Sequence, residues 1–105
     1  MATSKDKLGR PIVVVTGLGV ITSLGAGKTD NWAKLTAGES GIRAITRFST
    51  DGLKTRIAGT IDFLPQQSSS AALTECFAEL AADEAITECG IGTRGQFPAP
   101  LVLAL

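Results

Sequence analysis

Apolar residues gather in three stretches of the chain, and their spacing differs from one to the next. Ile12-Val13-Val14-Val15 follows Pro11 and closes on Thr16-Gly17 without any alternation. A continuous β-branched run of this length predicts a strand buried on both faces. Pro11 fits at its first position, where the missing N–H falls at the strand's edge. Farther on, Leu73, Phe77, Leu80 and Ala81 recur at helical spacing. They predict a helix over Ala71–Cys89 with one core face. Pro65 and the run Gln66–Ser70 form a linker ending in a natural N-cap, and Gly90 stops the helix. Leu101–Leu105 is a second unalternated run, and the same argument makes it a buried strand.

Weaker patterns fill the space between. Thr29 or Asp30 can cap a short helix, Asn31–Ala37, stopped by Gly38, with Trp32 and Leu35 sharing its buried side. Residues 38–55 read as an irregular connection. Arg56–Ile61 is a short strand, apolar at Ile57 and Ile61 and interrupted at Gly59. The order is β–α–(β)–α–β, an α/β layer whose sheet lacks a neighbour. Residues 1–10 are polar and read as a flexible arm, with 11–105 as the folded portion.

A basic arm before an apolar run also fits a secretory signal. Gly17, Gly19 and Thr22 interrupt that run, however, and Ile12–Leu24 is too short to span a bilayer as a helix. The expected location is therefore cytoplasmic, with no membrane partner.

Composition narrows the chemistry. The 105 residues include no His and no Tyr, one Trp and two Cys. Imidazole bases and His–metal ligands are thereby excluded, and few aromatic rings remain to stack nucleic-acid bases. Ten basic and ten acidic groups cancel, so no global field favours nucleic acid. The balance conceals a split. Residues 1–56 carry nine basic and four acidic groups, and residues 57–105 one basic and six acidic. Such a split either pairs within the fold or complements a partner. Glu75, Glu79 and Asp83 recur four apart along the long helix as an acidic stripe.

Three motifs nearly form. Gly17-Leu-Gly19-Val-Ile-Thr22 follows a strand as a dinucleotide fingerprint would, but Thr22 stands where the third Gly belongs. Gly25-Ala-Gly27-Lys28-Thr29 ends like a phosphate loop, yet its first Gly is again Thr22, and no strand leads directly into it. Gly38-Glu-Ser40-Gly41 evokes a serine elbow whose last Gly is Ile42 instead. Ser40 would also have no imidazole to activate it. Cys76 and Cys89, thirteen residues apart on one helix, lie about 20 Å apart along its axis. That distance rules out a disulfide, and acidic neighbours disfavour a reactive thiolate.

The composite pattern carries more than any single motif. Val13-Val-Val-Thr-Gly-Leu-Gly-Val-Ile-Thr-Ser-Leu-Gly25, then Trp32, Leu35-Thr-Ala-Gly-Glu-Ser-Gly-Ile42, Ile45-Thr-Arg-Phe48 and Ala58-Gly59 resemble the start of β-ketoacyl-acyl carrier protein synthases. Ala81–Ile91 looks like their next helix and Leu101–Leu105 like the strand after it. The resemblance implies a thiolase-like fold, a layered α/β/α sandwich of two similar halves, incomplete in this chain. It implies residues 11–105 as an incomplete N-terminal half of the synthase domain, working as a homodimer.

The implied chemistry is decarboxylative condensation. A Cys takes the acyl chain as a thioester, malonyl-carrier protein loses carbon dioxide, and two His stabilise developing charge. No metal or redox cofactor is implied. The nucleophile and both His of that family lie beyond this sequence, and Cys76 and Cys89 do not match the nucleophile's motif. No residue here is assigned a catalytic, cofactor-binding or metal-binding role, and the chain alone is expected to be inactive.

Implied partners are the remainder of the synthase polypeptide and acyl carrier protein. Leu64–Ala71, where relatives often carry basic residues for the carrier, has none. Lys5, Lys7, Arg10 or the Arg43/Arg47 pair are the substitutes. A non-catalytic thiolase-fold partner, such as a chain-length-determining subunit, is the alternative. An unrelated nucleotide-binding module is a third reading.

Overall fold

A computed structural model describes residues 4–92, 96, 99 and 100. The described residues form a small α/β arrangement of two helices and two separate two-stranded antiparallel sheets. β1 (Ile21–Thr22) turns back through Ser23 and Leu24 into β2 (Gly25–Ala26). α1 (Lys28–Thr36) follows at once. β3 (Ile42–Ala44) pairs with β4 (Ile57–Gly59), matching Ile42 to Gly59 and Ala44 to Ile57. α2 (Ser70–Cys89) is the long element against which residues 17–20 lie.

The long helix forms where its spacing and its ends predict. Ser69 is the N-cap, its hydroxyl accepting the Ala72 amide at 3.1 Å. Gly90 ends the helix at φ 69°, a left-handed conformation that glycine adopts without a Cβ penalty. Of the expected core face, Leu73 is buried at 6% exposure, Phe77 and Ala81 are half-buried, and Leu80 is exposed. β4 falls within the expected strand Arg56–Ile61, and β3 adds a strand inside the stretch read as irregular.

Three expectations are corrected. The run Ile12–Thr16 forms no sheet ladder among the described residues, and Val13, Val14 and Val15 are 90%, 69% and 75% exposed. Continuous apolar character marks a segment meant to be covered, but no described strand lies beside it to cover it. α1 begins two residues before Asp30, with Gly27 at its N-cap and no side-chain cap of its own. Trp32 and Leu35 are exposed: among the described residues α1 packs mainly on the small β1–β2 hairpin, and only its first turn reaches α2. The expected strand Leu101–Leu105 lies outside the described residues.

Candidate functional site

Chemistry-bearing groups converge where the Gly-rich segment crosses α2. Gly17 and Gly19 press directly on the helix backbone. A Cβ on Gly17 would collide with the Ala85 carbonyl, and one on Gly19 with the Ala81 carbonyl. Each glycine is needed because another main chain occupies the space of its side chain. This approach brings the segment's amides within reach of two carboxylates one helical turn apart.

Those carboxylates hold the junction. Glu88 Oε2 accepts the Leu18 amide at 2.7 Å, and Glu84 Oε1 accepts the Val20 amide at 3.0 Å. Glu84 Oε2 also accepts the Lys28 amide at 3.0 Å, at the first turn of α1. The Lys28 ammonium pairs with Glu88. Its hydrogen bond, followed by that of the Leu18 amide, holds the Glu88 carboxyl below the usual carboxylate range. Gly27 at φ 89° leaves room for Glu84, which lies 3.0 Å from where a Cβ would stand. Asn31 completes the corner by donating to the carbonyls of Gly25 and Gly27 at 2.9 and 2.7 Å.

This geometry decides the two nucleotide-like motifs. A phosphate bound to either would need the amides of Leu18, Val20 or Lys28, as anion sites at turns and helix N-termini do. All three already donate to glutamates of the same chain. A second anion would have to displace these carboxylates and then sit beside them. The glycines are packing and turn residues, and Lys28 is an ion-pair partner.

The remaining candidates are ordinary. Ser40 is exposed, and its hydroxyl accepts the Ile42 amide at 3.2 Å in a local turn. Cys76 and Cys89 are free and half-buried, and the Cys89 thiol donates to the Ile86 carbonyl at 3.2 Å. Among the described residues no cluster of His, Cys, Asp or Glu could hold a metal ion. Among them, too, no helix is long and apolar enough to cross a membrane.

Of the proposed carrier-docking cations, Arg10 is bound to Asp6 at 2.7 Å. Arg43 and Arg47 both stand 4.0 Å from Asp62. Arg47 and Asp62 also line an open cleft of 620 Å³ with Phe48, Leu64 and Leu73. The charge split of the sequence is therefore partly resolved within the chain: Lys28, Arg43 and Arg47 each meet an acid from beyond residue 57.

Glu84 and Glu88 are the residues that sequence reasoning missed. Their signal is present, however. With Ala81 and Ala85 they form one face that alternates small and acidic residues, suited to a close main-chain approach and to capturing its amides.

The family model described as the β-ketoacyl synthase N-terminal domain matches residues 10–87. A 3-oxoacyl-acyl-carrier-protein synthase 2 from Coxiella burnetii is 40% identical over 77 residues, covering 70% of this chain and 19% of that protein. The tetracenomycin polyketide synthase ketoacyl synthase alpha subunit of Streptomyces glaucescens is 37% identical over 93 residues, covering 82% of this chain and 22% of its own length. The beta subunit of the same synthase is 45% identical over 49 residues, covering 47% of this chain and 12% of its own. The chain thus spans less than a quarter of each of these three relatives. No solved structure gives a significant match. With a match that runs from Arg10 almost to the end of α2, the chain belongs to the β-ketoacyl synthase family.

Proposed function

We propose that the chain is the opening part of a β-ketoacyl-acyl carrier protein synthase. In the whole protein this enzyme condenses an acyl thioester with malonyl-carrier protein, releasing carbon dioxide, in fatty acid or polyketide synthesis. The observation that carries the reading is the match over residues 10–87. The residues described here act as scaffold: Gly17, Gly19, Glu84 and Glu88 fix the N-terminal segment on α2. The catalytic Cys and two His come from sequence beyond this chain, so the 105 residues alone are inactive. Residues 11–105 then belong to the N-terminal half of a thiolase-like layered sandwich, in a cytoplasmic homodimer that receives acyl carrier protein.

A non-catalytic thiolase-fold partner is the second reading, favoured by the similarity to the tetracenomycin beta subunit. The test is to assay the complete polypeptide that carries this chain with acyl- and malonyl-carrier protein. Formation of β-ketoacyl product supports the synthase. Its absence, in a polypeptide lacking a downstream Cys and two His, supports the partner.

A further inference from the structure

Glu84 engages two separate segments at once, each through a different oxygen. Oε1 serves the Val20 amide and Oε2 the Lys28 amide, both at 3.0 Å. Backbone N–H groups only donate, so both oxygens must accept. An ionised carboxylate meets that demand. A protonated one bears a hydroxyl hydrogen on one oxygen, which then confronts an N–H. Glu88 is built differently: its Oε2 alone accepts from the Leu18 amide and from the Lys28 ammonium, leaving Oε1 to take up a proton.

We propose that Glu84 is a two-armed latch: one carboxylate oxygen pins the Gly17–Val20 segment to α2, the other pins the start of α1, and losing either acceptor frees the segment it serves. Side-chain packing offers little substitute at this crossing, because Gly17 and Gly19 present no side chains to the helix. The apolar run Ile12–Thr16 leads straight into the latched segment. The charged groups facing Glu84 are Glu88, one turn along α2, and Lys28 from α1. Asp30 and Lys34 of α1 lie toward Gly25 of β2 instead. Gly17–Thr22 carries no ionisable side chain.

Amide hydrogen exchange tests the latch in the complete synthase polypeptide. It rests on the proposed function only for the choice of that molecule, since exchange is read whether or not the protein condenses acyl chains. At neutral pH the Val20 and Lys28 amides are expected to be protected. Glu84→Gln offers one acceptor and one amino group, so protection at Val20 or at Lys28, whichever faces the amino group, should fall by about tenfold or more. Glu88→Gln keeps one acceptor oxygen and should leave Leu18 protected. The Phe77 and Ala78 amides of α2 should hold in both variants. Protection of Val20 and Lys28 in the unmodified protein at neutral pH tests the latch even if Glu84→Gln does not fold. Equal effects of the two substitutions, or unprotected Val20 and Lys28 at neutral pH, would each overturn the proposal.

Discussion

The Glu84 carboxylate accepts the Lys28 amide at 3.0 Å, so α2 supplies the N-terminal cap that α1 lacks in its own sequence. A negative charge there also complements the helix dipole. Two elements far apart in sequence are thereby joined at the corner where a phosphate loop would otherwise be read.

The same corner makes nucleotide binding testable. With the amides of Leu18, Val20 and Lys28 already committed to carboxylates, ATP and NAD are expected to show no saturable binding in calorimetric titration. Lys28→Met should leave that outcome unchanged. Saturable binding that Lys28→Met abolishes would mean the Gly25–Thr29 loop does hold phosphate.

Gly19 should not accept a side chain. Gly19→Ala places a methyl on the Ala81 carbonyl, and the segment must lift from α2 to make room. Overpacking of this kind costs about 1–3 kcal/mol, read as a lower Tm of the complete polypeptide. An unchanged Tm would show that the crossing is looser than its geometry.

Glu88 should titrate below the ordinary carboxylate range, held there first by the Lys28 ammonium and then by the Leu18 amide. A lowered folded-state value means a stabilising contribution that is present above the unfolded carboxylate's range. That contribution is lost as pH falls through the lowered value. Carboxyl NMR titration of Lys28→Met should show Glu88 moved back up. If its titration does not move, the ion pair is not the main cause.

Legibility from sequence followed the reach of each signal. Ser69, Gly90 and the spacing of Leu73 and Phe77 are local signals, so α2 was legible nearly to its ends. β3 was not, because Ile42-Arg43-Ala44 is too short to carry a period. It becomes a strand through pairing with Ile57–Gly59 across a long connection. The cap of α1 was misplaced for a related reason: Thr29 and Asp30 are good local caps, but the acceptor that serves Lys28 comes from α2. The family was legible from motif order alone. The Glu84–Glu88 junction was not, since sequence shows acids on a face without showing what they face.

The isolated 105-residue chain should not melt as a cooperative domain. Leu73 alone among the described apolar side chains is buried, while Val13, Val14, Val15 and Trp32 are exposed. The chain exposes 8244 Å², against roughly 5,500 Å² for a compact protein of its mass. Its radius of gyration is 18.2 Å, where about 13 Å is usual for this length. Unfolding such a chain releases little buried apolar surface, and cooperativity depends on that release. Thermal scans should therefore show a broad, non-coincident loss of helix by circular dichroism and of Trp32 fluorescence, with aggregation. A sharp, reversible transition that superimposes by both probes would make the chain a self-sufficient domain and overturn this expectation.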